Sequence, residues 1–369
     1  MRLSRLRNII TIGFAACALS ACSWMEEDLS ECPDGLDVYF KYDRNIQRAD
    51  MFADHVGAVT VYVFDDANRF VMQRSAAGSP LKVHDFHIHF AGNELAPGRY
   101  SLLALAAQKD YDTLLGADGA KFRRTQLQPG DDISKLTVTL DRGAEGPDGT
   151  APVEHEAMPL DTLWHALNIQ TVELTPDNTV DGVYAAVRDT LSLTRDTKQL
   201  NITLRQTESE GEMLADNFDV RITDRNGRLF FDNTPDPQDT RLTYTPYATW
   251  TTDAGDGDGL GSLPGTAGLQ AAHFELFTSR LMLHENRADD ARLIITNRAT
   301  GETVVDIDLP YYLSADRDRF SIYNYSAQEF LDREYKYNMS FFLKGGTWQY
   351  MIFSIGILDW SVRIQNVDL

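Results

Sequence analysis

The feature that most constrains the fold of this chain is a hydrophobic pattern with a period of two residues. β-Branched and aromatic residues occupy alternate positions at residues 36–42, 58–64, 86–90, 136–140, 200–204, 218–222 and 292–296. Successive side chains of a β-strand point to opposite faces of a sheet, so this period predicts strands with a buried face. Helical patterns are short and few, at residues 46–55 and 326–333. We therefore predict an all-β protein and not a parallel α/β sheet.

The strands are predicted to form two similar β-sandwiches in tandem. Residues 59–70 and 218–230 both have the pattern of a strand, a turn with Asp and Asn, and an aromatic strand. A segment rich in Gly, Pro and acidic residues at 141–162 predicts a long loop late in the first domain, followed by its last strand at 164–174. A Gly- and Asp-rich stretch at 253–265 predicts a second loop. The predicted domains are residues 34–180 and 181–369.

The N-terminus has the layout of a bacterial lipoprotein signal. Residues 2–8 are basic, residues 9–19 are almost wholly apolar, and the small residues Ser20 and Ala21 precede Cys22. This predicts a signal peptide at 1–21, cleaved between Ala21 and Cys22. Residues 19–22 resemble the lipobox, in which the cysteine thiol receives lipid. The alternative is an ordinary secretory signal followed by an unrelated cysteine. Acyl chains on Cys22 would hold the protein at a membrane, with residues 22–33 as a tether.

The residues after Cys22 leave two interpretations open. Glu26, Glu27 and Asp28 form an acidic cluster that suits a solvated tether. The cluster also resembles the export signal of lipoproteins on the outer face of the outer membrane in Bacteroidetes. Cys17 lies in the signal and Cys22 would carry lipid, so Cys32 has no partner and the mature chain is predicted to contain no disulfide bond.

The charge of the chain argues against nucleic-acid binding. The sequence has 34 basic and 55 acidic residues, a net charge of −21. Removal of residues 1–21 takes away three arginines and no acid, so the mature chain is more negative still. Recognition of phosphate requires a basic surface, so a nucleic-acid partner is not expected.

The sequence contains no recognisable enzyme motif. It lacks Gly-x-Ser-x-Gly, His-Glu-x-x-His and a phosphate-binding loop, so we predict a protein that is not an enzyme and has no cofactor except the lipid. His84, His87 and His89 lie in an alternating segment that predicts a strand, and no metal site is expected because zinc would need further ligands. A lipid-anchored hydrolase with paired carboxylates remains an alternative.

A cluster of aromatic residues supports another alternative. Tyr244, Tyr247 and Trp250 lie close together in the sequence and could stack against a sugar ring, which would make the protein a surface glycan-binding lipoprotein. The other interpretation is that these side chains pack in the core, where large aromatic side chains are usually found.

Several segments together resemble the FimB-type fimbrial anchor lipoproteins of Bacteroidales. They are the lipobox at Cys22, Asp-Leu-Ser-Glu-Cys-Pro at 28–33, Val-Tyr-Phe-Lys-Tyr-Asp at 38–43, Val-Tyr-Val-Phe-Asp at 61–65 and the aromatic run at 348–360. These segments, in this order and spacing, extend the resemblance over nearly the whole mature chain.

The resemblance implies tandem transthyretin-like β-sandwich domains with antiparallel Greek-key topology. It also implies a lipid-anchored, surface-exposed protein of the outer membrane that holds a fimbria and limits its length. The implied partners are fimbrial shaft subunits, bound by strand complementation, and the protein is expected to be a monomer apart from the fimbria. The final hairpin, residues 335–363, is the candidate contact. Tip and accessory subunits of the same superfamily are the alternative.

Overall fold

The computed structural model describes residues 35–175, 179–180, 183–184, 186–206, 212–252, 270–344, 347–354 and 361–365. The predicted signal peptide, the lipidation site, the acidic cluster, Cys32 and the loop at 253–265 lie outside these ranges.

Strands dominate the described chain, which confirms the prediction of an all-β fold. They are β1 Leu36–Arg44, β2 Ala58–Asp65, β3 Phe70–Ala77, β4 His87–Phe90, β5 Gly98–Ala107, β6 Phe122–Arg124, β7 Thr137–Leu140, β8 Thr150–Pro152, β9 Leu163–Leu174, β10 Thr179–Val180, β11 Val183–Tyr184, β12 Val187–Arg195, β13 Lys198–Gln206, β14 Phe218–Asp224, β15 Arg228–Phe230, β16 Arg241–Tyr244, β17 Ala248–Thr252, β18 Ala271–Thr278, β19 Arg292–Asn297, β20 Thr303–Asp308, β21 Lys336–Lys344, β22 Thr347–Ser354 and β23 Ser361–Gln365.

The helices are short, as expected from the sequence. They are α1 Phe52–His55, α2 Tyr111–Leu115, α3 Leu309–Ser314 and α4 Ala327–Arg333. Single-turn 3₁₀ segments occur at Ser79–Lys82, Ile133–Lys135, Ala215–Asn217 and Arg287–Asp289, and a longer one at Ala315–Tyr323. Asp110, Asp308 and Ser326 precede α2, α3 and α4, and each side chain accepts a hydrogen bond from a backbone N–H of the first turn. These caps explain why the helices begin where they do.

The N-terminal half is organised around a seven-stranded sheet with the order β3-β2-β5-β9-β12-β1-β4. The alternating residues of β1 are buried on one face of this sheet, together with Trp164 and with alternate residues of β2 and β5 such as Val61 and Ala104. The buried residues of β1 are Leu36, Val38, Phe40 and Tyr42. The alternation seen in the sequence therefore corresponds to a real buried face.

The C-terminal half contains two larger sheets that share one core. A six-stranded sheet has the order β17-β18-β13-β21-β22-β23, and a five-stranded sheet has the order β20-β19-β14-β16-β8. Leu200 and Phe341 of the first sheet and Ile222 and Ile295 of the second belong to the same buried cluster. A three-stranded sheet, β15-β7-β6, contributes to this cluster as well. These layers are β-sandwiches, as predicted.

Most of the described strand pairs are antiparallel, as expected, and three are parallel. β1 pairs with β12, β13 with β21, and β16 with β8 in parallel. Parallel neighbours require a long crossover between them, and these partners are far apart in the sequence. Hydrophobic alternation is the same in both directions of a strand, so it carries no information about which way neighbouring strands run.

Two predicted boundaries also differ from the structure. Residues 141–162 are not entirely a loop, because they contain β8, which pairs with β16 almost a hundred residues later. The last strand of the seven-stranded sheet is β12 and not the segment at 164–174, since β12 lies between β9 and β1. This sheet therefore extends past residue 181, the predicted start of the second domain.

Candidate functional site

The direction of the strands gives the molecule two distinct ends. β1 starts at Leu36, opposite Val187, and runs parallel to β12 as far as Arg44, opposite Thr194. β12 ends at Arg195 and β13 starts at Lys198, with only two residues between them. The chain that precedes β1, which carries Cys22, therefore enters the sheet at the end opposite to the one where β12 continues into the C-terminal half. We call residues 195–198 the junction.

The C-terminal sheet offers a strand edge to a partner. β13 and β21 both run away from the junction, and β22 and β23 follow in antiparallel order. β23 is the outermost of these strands, so in the described chain the side of its backbone that faces away from β22 has no strand partner. Such an edge presents N–H and C=O groups that can pair with another strand. The predicted contact, residues 335–363, includes most of this edge.

Other sheet edges are less suited to accept a strand. At the edge strand β3, the N–H of Phe70 already donates to Asp131 O at 2.7 Å, and the N–H of Gly130 donates to Phe70 O at 2.8 Å. The other edge of that sheet, β4, is only four residues long. At β17, the hydroxyl of Thr251 accepts a hydrogen bond from the N–H of Ala215. The geometry thus favours β23 among the edges of the two large sheets that flank the junction.

A buried lysine holds the junction together. The side chain of Lys198 is fully buried, and its ammonium group donates to Arg195 O at 3.0 Å, Asp332 O at 3.1 Å and Glu334 O at 2.9 Å. An ammonium group has three donors, so all of them are used. Burial lowers the pKa of Lys198, because removal from water disfavours the charged form. The three bonds connect the end of β12, the start of β13 and the end of α4.

Further buried polar groups surround this lysine. Arg280 makes a two-pronged ion pair with Asp332, at 2.9 and 2.8 Å, and also donates to Asn233 O. The Asn233 amide donates to a carboxylate oxygen of Asp196 at 2.7 Å. Burial raises the pKa of Asp196, and the nearby Arg280 guanidinium opposes that shift. Removing one partner from such a network leaves buried polar groups unsatisfied, so the junction is held rigidly.

The junction is also fastened to β9. The Thr197 hydroxyl accepts a hydrogen bond from Leu163 N at 2.9 Å and donates to Asp161 O at 3.1 Å. The N–H of Asp196 donates to Leu163 O at 2.9 Å. On the other side, the Arg195 guanidinium lies 4.2 Å from the centre of the Tyr335 ring. The two residues between β12 and β13 therefore have the surroundings of a core and not of a flexible linker.

Sequence patterns alone do not identify the junction. One signal was present, because Lys198 has the same phase as the buried residues Leu200, Ile202 and Leu204 of β13. A lysine at an inward position of an alternating strand indicates a buried charge that needs partners. The partners themselves come from β12 and α4 and could not be assigned from one sequence.

His165, close to the junction, makes stability depend on pH. Its Nε2 lies 2.8 Å from Phe231 O, and burial lowers the pKa of the ring to about 4. The imidazole binds a proton near pH 6.5 in the unfolded chain but only near pH 4 in the folded one. The folded state therefore loses stability relative to the unfolded state as the pH falls from 6.5 to about 4. We expect His165 to contribute a loss of roughly 3 kcal/mol over this range.

Urea unfolding at pH 7.5 and pH 4.5 checks this expectation. His165→Gln keeps a donor towards Phe231 but does not titrate, so the variant should lose less stability between the two pH values than the wild type. Equal losses in the two proteins would contradict the assignment.

The three aromatic residues of the glycan-binding alternative do not form a common platform. Tyr244 is buried in the core, where its hydroxyl donates to Asn226 Oδ1 at 2.6 Å, so it is closed to a sugar. Tyr247 is half-buried and donates to the Glu275 carboxylate. Trp250 is 42% exposed. Alternation along β16 places Tyr244 inside, and it is core packing that accounts for this residue.

The histidine segment forms β4, as the alternation predicts. His89 Nδ1 lies 2.7 Å from Asp37 Oδ1, and His87 Nε2 lies 3.7 Å from the same oxygen. His84 is exposed beside Asp85. Within the described ranges, no cluster of three His, Cys, Asp or Glu side chains has the arrangement of a metal site. In the same part of the chain, no helix is long and apolar enough to cross a membrane.

The fold is similar to solved structures from the Bacteroidales. A candidate adhesin from Bacteroides thetaiotaomicron has 25% sequence identity and a TM-score of 0.69, over 90% of this chain and 99% of that one. A candidate polysaccharide-binding protein from the same organism has 26% identity and a TM-score of 0.68, with the same coverage. The fimbrial anchor protein Mfa2 from Porphyromonas gingivalis shares the fold, with 16% identity and a TM-score of 0.58, over 89% of this chain and 99% of that one.

Comparison with sequence families gives the assignment. None of the curated proteins matches the chain. The model of the family described as fimbrillin-A associated anchor proteins Mfa1 and Mfa2 matches residues 29–366, most of the chain. This confirms the resemblance noted in the sequence and indicates a fimbrial accessory role at the cell surface. The chain therefore belongs to the family of fimbrillin-A associated anchor proteins.

Proposed function

We propose that this protein anchors a fimbria to the outer membrane through lipid on Cys22 and limits the length of the fimbria. The observation that carries the proposal is the polarity of the fold. The chain from Cys22 enters the seven-stranded sheet at the end remote from the junction, and the C-terminal sheet with its open edge begins at the junction. In this proposal, membrane attachment and partner binding use separate parts of the molecule.

The tether has the length that this arrangement needs. The tether and the two residues between it and β1, residues 22–35, can together span at most about 45 Å when fully extended, enough to keep the sheet clear of a membrane surface. The acidic residues Glu26, Glu27 and Asp28 would keep the tether solvated and serve as the export signal to the outer face of the outer membrane. Two or more acyl chains are required for stable anchoring.

Strand complementation at β23 is the proposed mode of partner binding. A strand from a shaft subunit would extend the six-stranded sheet, with backbone hydrogen bonds giving affinity and alternate side chains giving specificity. Because the N-terminus is held by lipid, the protein would end the row of subunits and thus limit shaft length. No residue has a catalytic role in this function.

Single proline substitutions in β23 test the proposed edge. Val362 and Arg363 are adjacent, so their N–H groups point to opposite sides of the strand, one towards β22 and one outwards. Proline removes the N–H, and it is tolerated in an edge strand only where that group faces away from the sheet. One of Val362→Pro and Arg363→Pro should therefore unfold at the wild-type temperature and the other at a lower one.

The variant that keeps the wild-type unfolding temperature is the informative one. We expect it to lose the shaft subunits that co-purify with the wild type from detergent-solubilised membranes, while acyl label on Cys22 is unchanged. Co-purification of shaft subunits in wild-type amounts with this variant would contradict binding at the β23 edge.

A second candidate function is polysaccharide binding. The observation that favours it is Trp250, whose exposed ring is stacked on His273 with the ring centres 5.0 Å apart and the planes at 8°. The His273 nitrogens lie 3.2 and 2.9 Å from the hydroxyls of Thr203 and Thr252, which fixes the stack. Polysaccharide binding by membrane-extracted protein that carries no fimbrial subunit would favour this candidate over the anchor.

A further inference from the structure

We infer that β1 is a mechanical clamp: the pull of the fimbria on the lipid tether loads the β1–β12 pair in shear. The inference rests on the proposed function for the source of the force. The geometry itself depends only on the described strands. On this geometry, β1 resists being pulled out of the sheet by the tether.

The parallel pairing sets the direction of the load. The tether pulls β1 at Leu36 towards the membrane, and the fimbria pulls β12 at Arg195 towards the junction. Leu36 lies opposite Val187, and the Thr194 end of β12 lies about 25 Å away along the strand. The two forces therefore act along the strands in opposite directions. The hydrogen bonds between the strands run across this direction and are strained together, whereas peeling would break them one after another.

The second neighbour of β1 adds to the resistance. β4 pairs with β1 on its other side, from Leu36 opposite Phe90 to Tyr39 opposite His87. A carboxylate oxygen of Asp37 accepts a hydrogen bond from His89 Nδ1 at 2.7 Å, on the face of the sheet away from the core. β1 is thus hydrogen-bonded on both sides at the end where the tether enters, and extraction requires both sets of bonds to break.

The core prevents β1 from slipping stepwise. Leu36, Val38, Phe40 and Tyr42 are all buried on one face of the sheet. A slip of one residue would turn this entire apolar set to the other face and bring polar residues such as Asp37 and Lys41 into the core. A one-residue slip therefore has a high energetic cost, and the strand resists this step until its hydrogen bonds to the neighbouring strands break.

The junction completes the path of the force. At the far end of β12, the Lys198 ammonium group donates hydrogen bonds to the carbonyls of Arg195, Asp332 and Glu334. A pull on β12 is therefore shared with β13 and α4. A guanidinium nitrogen of Arg333 also lies 3.4 Å from Asp43 O near the end of β1. The clamp and the junction therefore form one continuous connection.

Single-molecule pulling on one protein with two handle positions tests the inference. The mature chain is produced without lipid, Cys32 is replaced by serine, and Cys22 serves as the first handle. The second handle is introduced on β12, either as Thr194→Cys or as Arg188→Cys. With the handle at 194 the force runs along the strands and shears the pair. With the handle at 188, opposite Asp37 near the Leu36 end, the same force peels β1 from β12.

We expect a several-fold higher rupture force with the handle at 194 than with the handle at 188, at the same pulling speed. Resistance to forced unfolding is governed by the unfolding rate, so the difference should persist when both variants have the same equilibrium stability in urea. Equal rupture forces, or a lower force with the handle at 194, would overturn the clamp. Because the handles bypass the lipid, this result is independent of whether Cys22 is acylated or whether a fimbria binds.

Discussion

Lys198→Met is expected to lower the free energy of unfolding by about 3–5 kcal/mol, the range measured when one partner of a buried ionic network is removed. The carbonyls of Arg195, Asp332 and Glu334 lose their shared donor, although Glu334 O keeps the Tyr337 hydroxyl at 3.3 Å. Each buried acceptor that is left without a partner costs about 1–3 kcal/mol. Methionine fills a similar volume, so the loss arises from the missing hydrogen bonds and charge and not from a cavity. The carboxylates of Asp196 and Asp332 also lose a nearby positive charge.

Lys336→Met is the matched control for this substitution. Lys336 is the first residue of β21, opposite Gln199, and its side chain is exposed. The same chemical change should alter the free energy of unfolding by no more than about 0.5 kcal/mol at an exposed position. Urea unfolding of both variants at pH 7 provides the comparison. A Lys198→Met variant as stable as the Lys336→Met variant would show that the junction does not depend on the buried ammonium group.

Local patterns predicted the strands because burial of one face leaves a direct trace in the sequence. The alternation at 36–42 became the buried face of β1, and that at 218–222 became β14 with Phe218, Val220 and Ile222 inside. The short helices predicted at 46–55 and 326–333 are present as α1 and α4, although α1 occupies only the end of its segment. These features depend on neighbouring residues in the chain.

Features that depend on distant partners could not be predicted in the same way. β8 has three residues, too few for a recognisable alternation, and it is defined by its pairing with β16. The apparent internal repeat in the sequence also does not extend to the pairing of the strands. β2 and β3 form a hairpin, whereas β14 and β15, the corresponding strands of the second copy, lie in different sheets. Similar turns therefore do not imply similar pairing.

The candidate site shows the same division between local and distant information. The sequence around Tyr244 does not distinguish a tyrosine of the core from one that binds a sugar. Only the packing of β16 shows that this side chain is buried. The parallel pairing of β1 with β12, on which the proposed polarity depends, joins segments about 150 residues apart in the chain. A single sequence records neither contact.

Cys22→Ala should abolish cell attachment of the fimbriae. Alanine has no thiol to form the thioether, so the variant cannot receive the acyl chains that give stable membrane binding. We expect incorporation of labelled palmitate to fall to background, and the protein to leave the outer-membrane fraction. Cys32→Ala is the control, because it removes a thiol ten residues away that has no proposed role. The control should retain both the label and the membrane association.

The distribution of fimbriae between cells and medium tests the anchoring function most directly. Fimbriae are counted on cells by electron microscopy and in the medium by immunoblotting of the shaft subunit, in strains that produce equal amounts of wild-type, Cys22→Ala and Cys32→Ala protein. We predict that fimbriae remain on cells with the wild type and the Cys32→Ala variant and are released into the medium with the Cys22→Ala variant. A normal number of attached fimbriae on Cys22→Ala cells that carry no acyl label would contradict the account.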